Sequence, residues 1–219
     1  MCNTGHGKAQ NRSNTDALTL DTKPDVLKTT ALAHAAYLAR LPAPSTLATW
    51  DVLEIGSGTG LLSLALASAV RSLTAVNAAE GMIAVLRAKL RAPGAPPQRR
   101  GRSVVSNLVL HHVADLGVLF KTVWGCLKPG GEVMVTDFED FGPEARRFHP
   151  EARMDGVHWH GIKRDAIRAV LEGPGFGDVS VETGFEMEKM VLAVPGNGVK
   201  EHKMVFSFLI CRGRRPAAG

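Results

Sequence analysis

An α/β protein with a mostly parallel sheet and a C-terminal antiparallel hairpin is the fold this sequence predicts, and three observations predict it. The run Asp51 to Gly60 reads as a buried strand entering a glycine-rich turn, with Leu61 to Val70 as the helix after it. Strand-like and helix-like segments then alternate as far as Asp137, which calls for parallel strands joined by right-handed crossovers. The last two strand-like segments, Asp178 to Thr183 and Lys203 to Cys211, fit a closing antiparallel pair.

Taken in order, residues 1–16 are polar and rich in Gly and Asn, and are expected to be a disordered N-terminus. Residues 17–49 are a helix and a linker. The helix spans Pro24 to Leu41, with Pro24 suited to its first turn and Pro42 ending it; Pro42 to Thr49 is the linker. The main domain covers residues 50–211. It starts with strand Asp51 to Ile55, helix Leu61 to Val70, strand Leu73 to Asn77 and helix Glu80 to Arg91. Strand Val104 to Val109 and helix Leu116 to Leu127 follow, and Lys128-Pro129-Gly130-Gly131 is expected to stop that helix. Strand Glu132 to Asp137, helix Ile162 to Leu171 and the final pair complete the domain, and residues 212–219 are a basic, flexible tail.

The 219 residues suffice for one sizeable core. The longest uncharged apolar run, Leu61 to Val70, is too short to cross a bilayer, and Met1 to Gln10 lacks the apolar centre of a signal peptide, so a cytoplasmic protein with no membrane partner is expected. Cys2, Cys126 and Cys211 are scattered without metal-binding or disulfide spacing. Much of the net charge of +5 falls in Arg99-Arg100-Gly101-Arg102 and Arg212-Gly213-Arg214-Arg215. These clusters lack interleaved aromatics, so a solvated loop and tail are preferred over a nucleic-acid surface.

The glycine turn carries the chemistry. Gly56, Gly58 and Gly60 admit backbone conformations and close approaches that a Cβ would block. Their spacing is G-x-G-x-G; the dinucleotide fingerprint is G-x-G-x-x-G, and Leu61 stands where its third glycine would be. Glu54, two residues before the first glycine, can meet an ammonium group, which a nicotinamide dinucleotide lacks and S-adenosylmethionine (SAM) has. The string Val52 to Gly60 resembles motif I of the class I SAM-dependent methyltransferases. Asn77 to Met82 is similar to the end of that family's second strand and the start of its helix. Val104 to Val113 resembles the post-strand motif of the small-molecule members related to ubiquinone and menaquinone biosynthesis, and Leu127 to Gly131 and Gly175-Phe176 also match.

The resemblance implies a Rossmann-like methyltransferase fold, SAM as cofactor and a small-molecule acceptor methylated on oxygen or nitrogen. It implies cofactor contacts from Glu54, Gly56, Ser57, Gly58, Gly60, Asn77, Ala78, Met82, Ser106 and Asn107. Two features depart from the family. Asn77 stands where a carboxylate takes both ribose hydroxyls, which weakens the contact by roughly 1–2 kcal/mol. The short, proline-rich stretch from Ala92 to Ser103 leaves no room for the family's third strand and the helix after it. The truncated sheet edge invites self-association.

His111 is the expected general base, since it falls just past the strand beside motif I and an imidazole near neutral pKa suits proton removal. His112 is a weaker candidate. No metal is expected, because His158 and His160 have no identifiable third ligand. The irregular segment Phe138 to Gly161 is a substrate-side lid by resemblance, with Phe141, Phe148 and Trp159 available to line an apolar pocket. The competing class is a methyltransferase-like protein that binds without catalysing; a dinucleotide oxidoreductase ranks third.

Overall fold

The computed structural model of the chain describes residues 13–90, 101–149, 153–192 and 201–218. In chain order its elements are α1 (Pro24–Leu38), α2 (Pro44–Leu47), β1 (Asp51–Ile55), α3 (Leu61–Ala67), β2 (Ser72–Val76), α4 (Glu80–Leu90), β3 (Gly101–Asn107), α5 (Leu116–Cys126), β4 (Leu127–Phe138), α6 (Arg164–Glu172), β5 (Gly177–Leu192) and β6 (Glu201–Arg214). The strands form one sheet in the order β2-β1-β3-β4-β6-β5. β2, β1, β3 and β4 run parallel, and β6 is antiparallel to both β4 and β5.

Alternation along the central strands sends successive side chains to opposite faces. Val104, Val133, Val135, Leu209 and Cys211 pack with Phe120 and Val123 of α5 and Ile167 and Leu171 of α6. Their neighbours Val105, Met134 and Ile210 pack with Ala33, Ala36 and Tyr37 of α1 and Leu62 and Leu66 of α3. Helices therefore cover both faces, as parallel strands require. Small alanines let α1 lie close, and the buried Tyr37 hydroxyl donates to the Ser106 carbonyl at 2.6 Å. Residues 17–49 thus belong to the same core as the sheet.

After β1 the chain moves outward to β2, then returns to place β3 on the other side of β1. The direction of winding reverses between β1 and β3, the switch point whose crevice receives ligands in open sheets of this kind. Among the described residues β2 is the outer strand on that side; residues 91–100, most of the stretch expected to lack the family's third strand, lie outside the described residues. Nothing in the fold adds support for self-association through this edge. Among the described residues no helix is long and apolar enough to cross a membrane.

Several boundaries differ from expectation. α1 stops at Leu38, and Arg40 and Leu41 both donate to the Tyr37 carbonyl as the chain turns toward Pro42. The Lys128 to Gly131 stretch lies within β4, where Gly130 has φ +74° and its N–H meets the carbonyls of Arg215 and Pro216. That pairing, absent from local sequence, converts an expected stop into an irregular strand start. The final hairpin is much longer than expected, because residues beyond Thr183 keep pairing as far as Leu192 with Glu201.

The expected tail is also corrected. Arg212 to Arg214 lie in β6, and the Arg215 guanidinium stacks 3.8 Å from the Trp124 ring centroid while donating to the carbonyls of Trp124 and Leu127. A cation on an aromatic face with two carbonyl acceptors is held, not free. At the other end, residues 13–16 form a helical turn, although they were expected in the disordered N-terminus; residues 1–12 lie outside the described residues.

Candidate active site

The glycine turn sits at the carboxyl end of β1, its Gly56 and Ser57 N–H groups both donating to the Val76 carbonyl at the end of β2. Gly56, Gly58 and Gly60 have φ of +72°, +54° and +84°. The three do different work. A Cβ on Gly56 would lie 2.2 Å from Val109, and one on Gly60 2.2 Å from Leu86, so these two also permit close packing. At Gly58 the nearest heavy atom would be Leu20 Cδ2, at 3.7 Å. Gly58 is therefore the least crowded of the three, with only the Leu20 side chain beside it.

Glu54 is 2% exposed and accepts a hydrogen bond from Ser63. Burial, only partly offset by that bond, pushes its carboxyl up to about 7. Asn77 accepts from the Gly58 N–H at 3.3 Å and donates to the Ala79 carbonyl at 3.4 Å. Ser57 Oγ is buried with no hydrogen-bond partner, which costs about 1–3 kcal/mol unless a ligand supplies one. Other expected contacts are turned inward. Ser106 donates to the Ile55 carbonyl and Asn107 accepts from Thr136, so both hydroxyl and amide hold strands together. Met82 is buried against Ala17 and Ala79, while Ala78 lies at the surface.

A strap from the N-terminal segment crosses this turn. Asn14 accepts from the Gly81 N–H at 2.8 Å. Leu20 lies beside Gly58, and Asp21 accepts from the Thr59 hydroxyl and pairs with Lys89 Nζ at 2.6 Å. Lys89 also donates to the Thr59 carbonyl. Sequence reading did not place residues 14–21 here, and their only local signal was the short polar side chains.

Across the crevice, the turn after β3 carries the histidines. Leu108 is held at φ +57°, a strained conformation for a leucine, and this sets Val109 against Gly56. His111, 2% exposed, follows. Its Nδ1 lies 2.9 Å from both carboxylate oxygens of Asp137, which ends β4 and is 1% exposed. Asp137 also accepts from the backbone N–H groups of His111 and Phe138, so its charge is compensated although buried. The carboxylate fixes Nδ1 as the protonated nitrogen and leaves Nε2 as a base or ligand. Asp137 and His149 are site residues that sequence reading missed; each lies far along the chain from His111.

The lid anchors to this turn. The N–H groups of His158 and Trp159 both donate to the His111 carbonyl, and the Trp159 indole donates to the Val113 carbonyl. The apolar pocket expected from three aromatics is not assembled. Phe148 is buried in a cluster with Phe138, Phe206 and Phe208, whereas Phe141 and Trp159 are largely exposed. The cavity beyond β4, about 850 Å³, is instead lined by charged side chains that include Arg146, Lys163 and the Glu139–Arg164 pair.

Comparison with known proteins identifies the class. Over residues 26–188, more than half its length, the chain matches the family model described as "Methyltransferase domain", and it belongs to that family. It is 33% identical over 119 residues to an uncharacterized methyltransferase of Mycobacterium bovis and to its counterparts in Mycobacterium tuberculosis. That match covers 48% of this chain and spans 59% of the relatives' length. Among solved structures, a DhpI–SAM–HEP complex aligns with 98% of this chain and all of its own, at TM-score 0.66 and 22% identity. A methyltransferase of Bacillus halodurans covers 85% of this chain and 99% of its own, at TM-score 0.62 and 16% identity. Phosphoethanolamine N-methyltransferase 2 of Haemonchus contortus, in complex with SAM, covers 84% of this chain and 52% of its own, at TM-score 0.58 and 16% identity. These likenesses establish the fold as that of the Rossmann-like methyltransferases.

Proposed function

We propose that the chain is a cytosolic, SAM-dependent methyltransferase acting on the oxygen or nitrogen of a small molecule. The observation that carries this reading is that the glycine turn and the His111–Asp137 pair lie at the same end of the sheet, at the point where it reverses its winding. The residues suit the cofactor. Gly58 is covered only by the Leu20 side chain, Ser57 offers an unpaired hydroxyl, and Glu54 is a buried carboxylate suited to an ammonium group. Asn77 and Ala78, at the carboxyl end of β2, are assigned to the ribose by resemblance, and Met82 packs with Ala17 and Ala79 at the start of α4. Ser106 and Asn107 shape the methionyl side through the backbone, their side chains being spent on strand contacts.

SAM when bound supplies a methyl group on sulfonium sulfur, which leaves as the carbon–sulfur electron pair returns to sulfur. This chain then has to align the acceptor and remove its proton. His111 takes that proton on Nε2, and the ionised Asp137 stabilises the imidazolium before the proton passes to water. A non-catalytic binding module is the second reading, favoured by Asn77, whose amide is occupied within the turn.

The test is transfer of isotope-labelled methyl from SAM to a panel of small hydroxyl and amine acceptors. His111→Asn should lower the rate about 10²–10⁴-fold while SAM affinity holds. Labelling of no acceptor, or an undiminished rate in the variant, would contradict the assignment.

A further inference from the structure

We propose that His111, His112 and His149 form a binding site for a divalent transition metal ion of the zinc type, with one coordination position left open. Among the described residues these three side chains are the His, Cys, Asp or Glu group that comes together, each offering a ligand nitrogen and all of those nitrogens within 4.8 Å of one another. A tetrahedral ion with metal–nitrogen bonds of about 2.0–2.1 Å needs its ligands about 3.4 Å apart. The rings must close by on the order of 1 Å, within reach of side-chain rotation.

The surroundings are arranged as metal-bound histidines require. Such a histidine usually gives its second ring N–H to a carboxylate or a backbone carbonyl, which fixes the tautomer and aims the other nitrogen. His111 gives Nδ1–H to Asp137, and His112 gives Nδ1–H to the Gly156 carbonyl at 2.8 Å. Both Nε2 lone pairs are thereby free. On the third member, Nδ1 of His149 is buried with no hydrogen-bond partner, an unmet polar atom that an ion would satisfy. The rings crowd together without a shared proton, His111 lying 4.0 Å from His112 and 4.8 Å from His149 between centroids.

Electrostatics agree. Although His112 keeps part of its surface in water, desolvation of its ring and the neighbouring His111 lower its pKa to about 4. Burial, then His111 and His112, lower His149 to about 2. Neutral rings are what an ion binds. Asp137 supplies one buried negative charge behind the cluster. Lys189 is the opposing charge, held at the Phe148 carbonyl and 3.8 Å from Asp25.

Three imidazoles with nothing softer or harder fit zinc-type ions, and three protein ligands leave a fourth position for solvent or substrate. The link to methyl transfer rests on the proposed function. An acceptor hydroxyl in that position would be acidified by the ion and give its proton to solvent, leaving an oxygen lone pair for the methyl group, a task that His111 Nε2 would serve in the metal-free chain. Sequence reading expected no metal because His149 reaches the cluster only through the fold.

The experiment is titration of the full, chelator-stripped chain with Co²⁺, followed by visible absorption, and with Zn²⁺, followed by calorimetry. One equivalent should bind, with the intense visible bands of a low-coordinate cobalt site. His149→Ala and, independently, His112→Ala should each weaken binding at least about tenfold, and Asp137→Asn about 10–100-fold. If His149→Ala fails to fold, His112→Ala at the rim carries the same test. Absence of stoichiometric uptake by the folded chain, or uptake indifferent to both histidine variants, would overturn the site. Stoichiometric uptake by a chain that does not bind SAM would uphold the site and remove its link to methyl transfer.

Discussion

Glu54 concentrates the conflict between stability and binding at the residue scale. A charged carboxylate in that position is useful to an ammonium-bearing ligand and costly to the fold. Its folded pKa, about 7, lies above the ordinary 4.5, so the folded chain holds this proton more tightly than the unfolded chain does. The stability contributed by the proton is fully present below pH 4.5 and is lost as pH rises through 7. Glu54→Gln should therefore match the parent near pH 4 and exceed it at pH 8, by an amount on the order of 3 kcal/mol at most. The same variant should bind SAM more weakly at pH 8. Thermal melts at the two pH values check the first part; equal stabilities at pH 8 would show that Glu54 carries no buried charge. The glycine turn and Glu54 were legible in sequence because their meaning is local: a short strand, a turn and a helix within one stretch. Asp137 and His149 were not, since neither carries a motif and each reaches His111 only after the sheet and the lid are built.

The strap matters most at the element scale. Residues 14–21 lie over the glycine turn on the side where β2 is the outer described strand, and they are tied down by Asp21 to Thr59 and Lys89. Ala17 packs on Ala79 and Met82, so the strap also covers the start of α4. A cofactor on the turn must pass or displace it. Asp21→Asn removes the ion pair with Lys89, about a quarter exposed and worth about 0.5–1 kcal/mol, and should speed release of bound SAM a few-fold with little change in melting temperature. Stopped-flow displacement of SAM reads the rate; an unchanged rate would mean the strap does not gate the site. The central strands and helices appeared within a few residues of expectation, because their hydrophobic runs are long and bounded by Gly and Pro. The β5–β6 pairing beyond Thr183 and the anchored Arg215 depended on partners distant in sequence, and their polar, broken patterns concealed them.

At the scale of the whole molecule, topology does what no single element can. The reversal between β1 and β3 brings the glycine turn and the His111 turn to the same end of the sheet, and the strained Leu108 sets Val109 directly against Gly56. Cores on both faces hold those turns, and the backbone of His158 and Trp159 is bonded to the His111 carbonyl. Under the proposed function, a cofactor shelf and a proton acceptor come from segments that never meet in sequence. The most direct test is calorimetric titration of the full chain with SAM and with S-adenosylhomocysteine, beside a Gly58→Val variant shown to be folded. Saturable binding of both ligands by the parent, lost in the variant, is the predicted result. A folded parent that gives no heat with either ligand would contradict the assignment of the turn as the cofactor shelf.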